Sequence, residues 1–314
     1  MVDIPDFSKL ECILGPERLE IDAPLAPLTT FRIGGTADRM FRARNADELA
    51  SSVLAVRETG IPYFLLGKGA NILVGDGGFR GLVIRCEVDG IDFPETTLVR
   101  AGAGVETYPD LIEATVTRNL AGLHHFVGIP STVGGAMWQN LHFLSPAPNR
   151  ERTIFIDEIV ESAEILTEEG NRCIVDRDYF EFGYDYSILH SREDVVISVD
   201  FRLTQAPENE IRKIMSENIE WRKSRHPDLQ INPSAGSIFQ KIEGIGAGRL
   251  IDECGLKGKR YGNAQIFSRH ANVIVNLGGA TASDVRTLIN LAQETVAREQ
   301  GYDLIPEITF VGEF

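Results

Sequence analysis

This chain is poor in cysteine, histidine and positive charge, and it has no long apolar run. Its four cysteines, Cys12, Cys86, Cys173 and Cys254, are scattered, and none pairs at redox or metal-ligand spacing. They predict free thiols in a reducing compartment. Cys254 lies in an apolar helical stretch and is read as core, not nucleophile. His124 and His125 are adjacent, so they share neither a helix face nor a strand face, and no metal site is expected. No segment approaches the ~20 apolar residues of a membrane-spanning helix. The start carries Asp3 and Asp6 where a secretory signal would be basic, and no apolar core follows, so the expectation is a cytoplasmic protein. Lys and Arg number 31 against 46 Asp and Glu, a formal net charge of −15. Such a field disfavours nucleic acid and anionic membrane as partners. A small anionic ligand is still allowed where cations gather, as they do at Arg222, Lys223 and Arg225 and again at Lys257, Lys259 and Arg260. Taken singly, each of these residues reads as part of a solvated face.

What is present in quantity is glycine, 30 residues among 314, between short helical and strand patterns. Leu49, Val53 and Val56 recur at helical spacing over 46–58. Strands are expected over 63–66, 82–84, 98–101, 154–166 and 195–203, and a helix over 108–118. Beyond a break near residue 205 come a helix over 208–223, a strand over 271–276 and a helix capped by Thr281 with Asp284 three residues on. Val285, Leu288, Ile289, Ala292 and Val296 give that last helix one apolar stripe, which should face a core. A final strand over 304–311 should turn Ile308 and Phe310 one way and Ile305, Glu307 and Thr309 the other. The fold class is α+β, divided as 1–85, 86–205 and 206–314.

Gly67-Lys68-Gly69-Ala70-Asn71 follows a strand, as a dinucleotide fingerprint would. Ile72 stands where its third glycine belongs, and another extended piece follows instead of a helix, so a Rossmann site is excluded. The turn can still aim backbone N–H groups at phosphate. Gly128-Ile129-Pro130 sets a rigid bend before a second small-residue turn, Gly134-Gly135-Ala136. Two such turns could grip the two phosphates of a dinucleotide; plain tight turns are the other reading, and both stay open. A serine on a third turn, Ser237 in Ser234-Ala235-Gly236-Ser237, and the late carboxylate Glu307 add acid chemistry.

These motifs occur in a telling order. Thr29-Thr30-Phe31-Arg32-Ile33-Gly34-Gly35, Leu66 to Leu73, Gly128-Ile129-Pro130, Val133 to Ala136, Ala235 to Phe239, Gly255 to Gly258, His270-Ala271-Asn272 and Pro306-Glu307 together resemble the UDP-N-acetylenolpyruvoylglucosamine reductase family. The resemblance runs from about residue 29 to the end and fits the shorter subtype. It implies a two-part FAD-binding domain of the vanillyl-alcohol-oxidase (PCMH) type, over 1–85 and 86–205, with a C-terminal α+β substrate domain over 206–314. It implies FAD held noncovalently by Gly67, Lys68, Gly69, Ala70, Asn71, Gly128, Ile129, Pro130, Gly134, Gly135 and Ala136. It further implies reduction of that FAD by NADPH, then hydride transfer to a UDP-sugar enolpyruvyl ether in peptidoglycan precursor synthesis. Ser237 maps to the general acid and Glu307 to the catalytic glutamate, which needs a raised pKa to donate.

The chain departs from the family at two places. The family's Tyr-Arg-x-Ser segment reads Tyr184-Asp185-Tyr186-Ser187, so Asp185 stands where a guanidinium would stabilise developing negative charge. Arg177 and Arg192 flank it as candidate replacements. After the second glycine turn, Leu141, His142 and Phe143 replace small residues and a loop with Pro146 and Pro148 follows; Ser131 also replaces a usual glycine. Trp138 or Phe143 could stack on a ring, with core packing the simpler reading. His270 is read as structural or near substrate, without a choice between them. These departures leave two further expectations open: a flavin oxidoreductase with a different substrate, or a catalytically impaired binder of FAD or a nucleotide sugar.

Overall fold

The structure is a computed structural model that describes residues 5–242 and 244–314. Strands β1 (Leu19–Pro24), β2 (Thr36–Ala43), β3 (Tyr63–Leu66) and β5 (Phe79–Cys86) form a first sheet in the order β1-β2-β5-β3. The β1–β2 pair is antiparallel and the other two joints are parallel. Helices α1 (Ser8–Leu14) and α2 (Ala46–Thr59) cover it. The ends of α2 are set locally: Asn45 accepts from the Glu48 N–H, and Gly60 closes the helix at φ 69°.

A second, antiparallel sheet has the order β12-β11-β13-β7-β6, from β6 (Ile91–Glu95), β7 (Leu98–Gly102), β11 (Val160–Leu166), β12 (Arg172–Asp176) and β13 (Val195–Arg202). Around it lie α3 (Ile112–Val116), α4 (Val133–Gln139) and two small ribbons. One joins β8 (Leu120–Ala121) to β14 (Thr204–Gln205); the other joins β9 (His142–Leu144) to β10 (Thr153–Phe155). One continuous apolar core links the two sheets, from Leu10 and Val53 through Val99 and Val199. Helix α5 (Glu208–Arg225) buries Ile211 and Met215 in this same core, on the far side of the break expected near residue 205.

A second core lies under α6 (Ala247–Glu253), α7 (Ala282–Gln300) and the short sheet of β15 (Arg260–Tyr261), β16 (Ala264–Ile266) and β17 (Ile274–Asn276). The stripe Val285, Leu288, Ile289, Ala292 and Val296 is fully buried there, and Thr281 and Asp284 form the capping box. Cys254, at the end of α6, packs against the same core, and burial pushes its thiol above the ordinary range. Strand β18 (Thr309–Val311) pairs in parallel with β4 (Ile72–Val74), which ties the C-terminal residues to the first glycine turn. Among the described residues no helix is long and apolar enough to cross a membrane.

Three elements differ from the sequence reading. The helix expected over 108–118 is α only from Ile112, because Pro109 holds Tyr108 extended at φ −136° and ψ 132°. The strand expected over 154–166 is broken by a tight turn at Ile156–Glu158, where the Glu158 carboxylate accepts from the Phe155 N–H at 3.0 Å and from Arg152 at 2.7 Å. The strand expected over 304–311 is a ladder only at Thr309–Val311. Its first half is extended but bonds instead to the Ser237 segment. The expected facing holds there: Ile308 is buried, and Ile305 and Thr309 are exposed.

Candidate active site

The segment bearing Ser237 lies between two extended chains. On one side the Ile238 N–H donates to the Asn272 carbonyl at 2.8 Å. The Asn272 side chain then clamps Phe239, accepting from its N–H at 2.9 Å and donating to its carbonyl at 2.8 Å. On the other side the Glu307 N–H donates to the Ile238 carbonyl at 2.8 Å, and the Gln240 N–H donates to Ile305 at 2.9 Å. Backbone bonding thus places positions 237 and 307 on neighbouring chains, and both side chains line one cleft of about 470 Å³. The turn before it is built by Ser234, whose hydroxyl accepts from the Gly236 N–H at 3.4 Å. The Ser237 hydroxyl makes no hydrogen bond among the described residues and is left to face the cleft.

Glu307 is mostly enclosed. Burial, and then the nearby Asp185 charge, push its carboxyl up to about 8. At neutral pH it therefore carries its proton, the state that a donor requires. The same cleft is lined by four cations, Lys241, Arg249, Lys257 and Arg269. Arg249 is bound to Glu253 at 2.7 Å and Lys257 to Asp252 at 2.5 Å. Lys241 and Arg269 form no ion pair among the described residues. A strongly acidic protein has thus gathered positive charge at one cleft. Of the expected cationic residues only Lys257 lines it; Lys259 and Arg260 stay on the exposed surface.

The loop 67–71 adjoins this cleft. The Asn71 side chain donates to the Glu307 carbonyl at 3.4 Å, and the Thr309 N–H donates to Asn71 at 3.0 Å. Thr30 ties the loop to the serine turn, its hydroxyl donating to the Ser234 carbonyl at 2.7 Å and its N–H to Gly69 at 3.1 Å. Gly69 has φ +63°, and a Cβ there would lie 2.6 Å from the Leu28 carbonyl oxygen. A Cβ at Gly67 would lie 2.7 Å from the Thr132 hydroxyl, so this turn packs on the start of the second one. Among the described residues, the N–H groups of Lys68, Gly69, Ala70 and Asn71 donate to nothing within the chain, which leaves a short row of donors. The Lys68 ammonium pairs with Glu106.

The second turn differs. The Val133 N–H donates to Val105 at 2.9 Å, Gly134 to Ala103 at 2.8 Å and Gly135 to the Thr132 hydroxyl at 3.3 Å. Its glycines serve to bring α4 against β7 and the chain after it. Gly128 has φ +75° and sits against the Arg222 guanidinium, and the Ile129 N–H donates to Phe126 at 3.1 Å. Arg222 is held down at about 10 by burial and has no hydrogen-bonded partner among the described residues.

Sequence reasoning passed over several residues. Arg85, directly opposite Leu66 in the first sheet, is half-buried with Nε and Nη1 unpartnered. As a single cation at the end of an apolar strand it carries no motif. Arg177 and Arg192, the candidates flanking Asp185, are committed elsewhere: Arg177 to Asp157 at 2.6 Å and Arg192 to Asp194 at 3.0 Å. Phe143 is core, edge-on to Trp221, whereas Trp138 is 42% exposed and stacks on His190. His124 and His125 are enclosed, with rings 4.0 Å apart, and burial holds them down at about 3 and about 4. His270 lines the cleft.

Comparison with known proteins bears on this arrangement. The chain is 34% identical over 306 residues to a UDP-N-acetylenolpyruvoylglucosamine reductase of Clostridium botulinum (strain 657 / Type Ba4), covering 97% of this chain and 96% of the relative. It is 39% identical over 290 residues to that of Moorella thermoacetica, covering 92% of each. The chain belongs to this reductase family. The family's C-terminal domain model matches residues 226–311, and an FAD binding domain model matches residues 37–175. A crystal structure of the Thermus caldophilus reductase superposes with a TM-score of 0.76 at 33% identity, covering 94% of this chain and 99% of that one. The fold is accordingly the α+β arrangement expected, with an FAD-binding domain followed by the family's C-terminal domain. The open N–H groups of 67–71 and the Arg85 guanidinium, whose Nε and Nη1 are buried without a hydrogen-bond partner, fit an anionic dinucleotide such as FAD.

Proposed function

We propose that this chain is an FAD-dependent, NADPH-driven reductase that converts UDP-N-acetylglucosamine enolpyruvate to UDP-N-acetylmuramate in the cytoplasm, for peptidoglycan precursor synthesis. The observation that carries the reading is the pairing of a free Ser237 hydroxyl with a proton-bearing Glu307 in one cleft beside the open glycine loop, in a chain of this family. FAD, when bound, supplies the hydride that it has taken from NADPH.

The chain's residues do the rest. Lys68, Gly69, Ala70 and Asn71 present N–H donors to the flavin nucleotide, and Gly67 lets that loop sit on Thr132. Gly128, Ile129 and Pro130 shape the bend, and Gly134, Gly135 and Ala136 let α4 approach the strand below. The units 1–85 and 86–205 hold the flavin, and 206–314 carries the substrate. Lys241 and Arg269 face the anionic groups of the nucleotide sugar. As hydride reaches the methylene carbon, negative charge builds on the neighbouring carbon and its carboxylate. Ser237 Oγ gives its proton to that carbon, and the Glu307 carboxyl stabilises the charge as a hydrogen-bond donor.

Two half-reactions separate these roles. Under anaerobic conditions NADPH should bleach the bound flavin, and the enolpyruvyl sugar nucleotide should restore its colour. Ser237→Ala should leave the first step unchanged and slow the second by about 10²–10⁴. Recolouring no faster with the nucleotide than with buffer would overturn the proposal, and oxygen-driven turnover of a sugar or alcohol would assign another substrate.

A further inference from the structure

We propose that Thr30 is a positioning residue for the proton transfer: its hydroxyl fastens the turn that carries Ser237 to the loop 67–71, so that proton donor and flavin keep a fixed separation. This rests on the readings of Ser237 as donor and of 67–71 as the flavin loop. Thr30 stands between the two. Its N–H donates to the Gly69 carbonyl at 3.1 Å, and its hydroxyl donates to the Ser234 carbonyl at 2.7 Å. The hydroxyl also lies 3.4 Å from the Gly69 carbonyl, but it has a single hydrogen, and the shorter contact takes it. Among the described residues no other group donates to the Ser234 carbonyl.

Thr30 is itself held from behind. Its neighbour Phe31 is fully buried in the C-terminal core, the core that also takes Ala235, Ile238 and Phe239. The Asn276 side chain donates to the Phe31 carbonyl at 3.1 Å and to the Arg32 carbonyl at 3.3 Å. Its oxygen accepts from the Gly278 and Ala280 N–H groups at 2.8 and 3.1 Å, so the amide is fixed at both ends. The segment 29–33 thus belongs to the C-terminal core by packing and to the loop 67–71 by hydrogen bonding.

The Ser237 turn needs a hold at this point. After it, Ile238 and Phe239 are bonded to Asn272 and Glu307. Before it, the Pro233 carbonyl accepts from the Asn276 N–H at 2.8 Å. In the turn itself, the bond from the Gly236 N–H to the Ser234 hydroxyl is long, at 3.4 Å, and the short one is that from Thr30. Gly236 has φ +76°, and a Cβ there would meet nothing within 4 Å, so the turn has open space on its outer side. Without the Thr30 hydroxyl the turn is free to swing that way and carry Ser237 with it. A misplacement of about 1 Å at a reacting group can cost about 10²-fold in rate. Reduction of the flavin by NADPH makes no use of Ser237, so the loss should fall on one half-reaction alone.

The test compares Thr30→Val, which keeps the branched shape and removes the hydroxyl, with Thr30→Ser, which keeps the hydroxyl. In the holoenzyme, Thr30→Val should be reduced by NADPH within about threefold of the unaltered rate and be reoxidised by the enolpyruvyl nucleotide about 10–10²-fold more slowly. Thr30→Ser should recover most of that loss. In the flavin-free proteins, amide hydrogen exchange over 235–237 should be about tenfold faster in Thr30→Val and unchanged in Thr30→Ser. Thr30→Val combined with Ser237→Ala should reoxidise no more slowly than Ser237→Ala alone. If Thr30→Val does not hold flavin, Thr30→Cys, whose thiol is a weak donor, takes its place under the same outcomes. Equal slowing of both half-reactions, no slowing of either, a loss that Thr30→Ser does not recover, or unchanged exchange over 235–237 would overturn the proposal. Reoxidation of Ser237→Ala at the unaltered rate would instead sink the reading of Ser237 as donor.

Discussion

The two glycine turns look alike in the sequence and do different work in the fold. In 67–71 the N–H groups from Lys68 to Asn71 have no acceptor among the described residues, and the strand β4 that follows leaves them so. In 133–136 the same residue types open a helix, and the strand-side carbonyls of Val105 and Ala103, with the Thr132 hydroxyl, take the first three N–H groups. Glycine permits close approach in both places. A turn offers donors to a ligand only where its own fold has not already spent them. On this ground we assign the anion site to the first turn by proposal, while the second, through Thr132, is the wall against which Gly67 packs.

The largest separation between the turns should come from Gly69→Val. The position needs φ +63°, and a Cβ there would lie 2.6 Å from the Leu28 carbonyl oxygen and 3.0 Å from Thr29 Cα, both backbone. A β-branched residue in that conformation costs about 1–3 kcal/mol in strain alone, and the loop must move to relieve the contact. We expect the purified variant to be colourless and to lose flavin affinity by at least about 10²-fold, read by titration of flavin fluorescence. Retention of flavin through gel filtration would contradict the assignment.

An intermediate effect is expected at Arg85, on the side of the first turn. Its guanidinium is partly desolvated and its pKa is held below the ordinary range chiefly by burial. Glu87 is its nearest carboxylate, at 4.0 Å. Arg85→Met keeps the packing of the stem and removes the charge. Flavin affinity should fall by roughly tenfold, the worth of one charged hydrogen bond. The flavin-free protein should melt no lower, and even slightly higher, since a largely buried charge with only a long ion pair to Glu87 is gone. A lower melting temperature with unchanged affinity would make Arg85 structural.

The legible parts of this chain were those with local causes. The α7 stripe is a periodicity, its cap is a side-chain bond three residues long, and both are where the pattern puts them. The strand at 304–311 was legible in its facing but not in its partners, because Glu307 bonds to Ile238 across about seventy residues of chain. The same limit hid the site's supporting residues. Asn272 was visible in a motif, but its clamp on Phe239 is a tertiary fact. Asp185 was legible as a departure, whereas its partner was sought among flanking arginines. Charge type suggested Arg177 and Arg192; the fold had already paired both with aspartates and brought His142 of the altered loop to 3.6 Å from Asp185 instead.

The smallest effect should be that of Gly134→Ala, and it is the most direct way to break the comparison. Gly134 lies in the first turn of α4 with ordinary helical φ, so alanine gains about 1 kcal/mol in helix propensity. Against this, its Cβ would lie 3.3 Å from both the Cβ and the carbonyl oxygen of Ala103, a tight but not forbidden contact. Slight overpacking of that kind costs about 1 kcal/mol or a little more. The two terms oppose, so unfolding free energy should change by no more than about 1 kcal/mol in denaturant titration. The Gly134 N–H stays on Ala103 in either case and was never available to phosphate. Flavin affinity should therefore remain within about threefold, equivalent to less than about 0.7 kcal/mol. A fall as large as that of Gly69→Val would mean that the bond to Ala103 opens when flavin binds, and the second turn would then have to be counted as a donor beside the first.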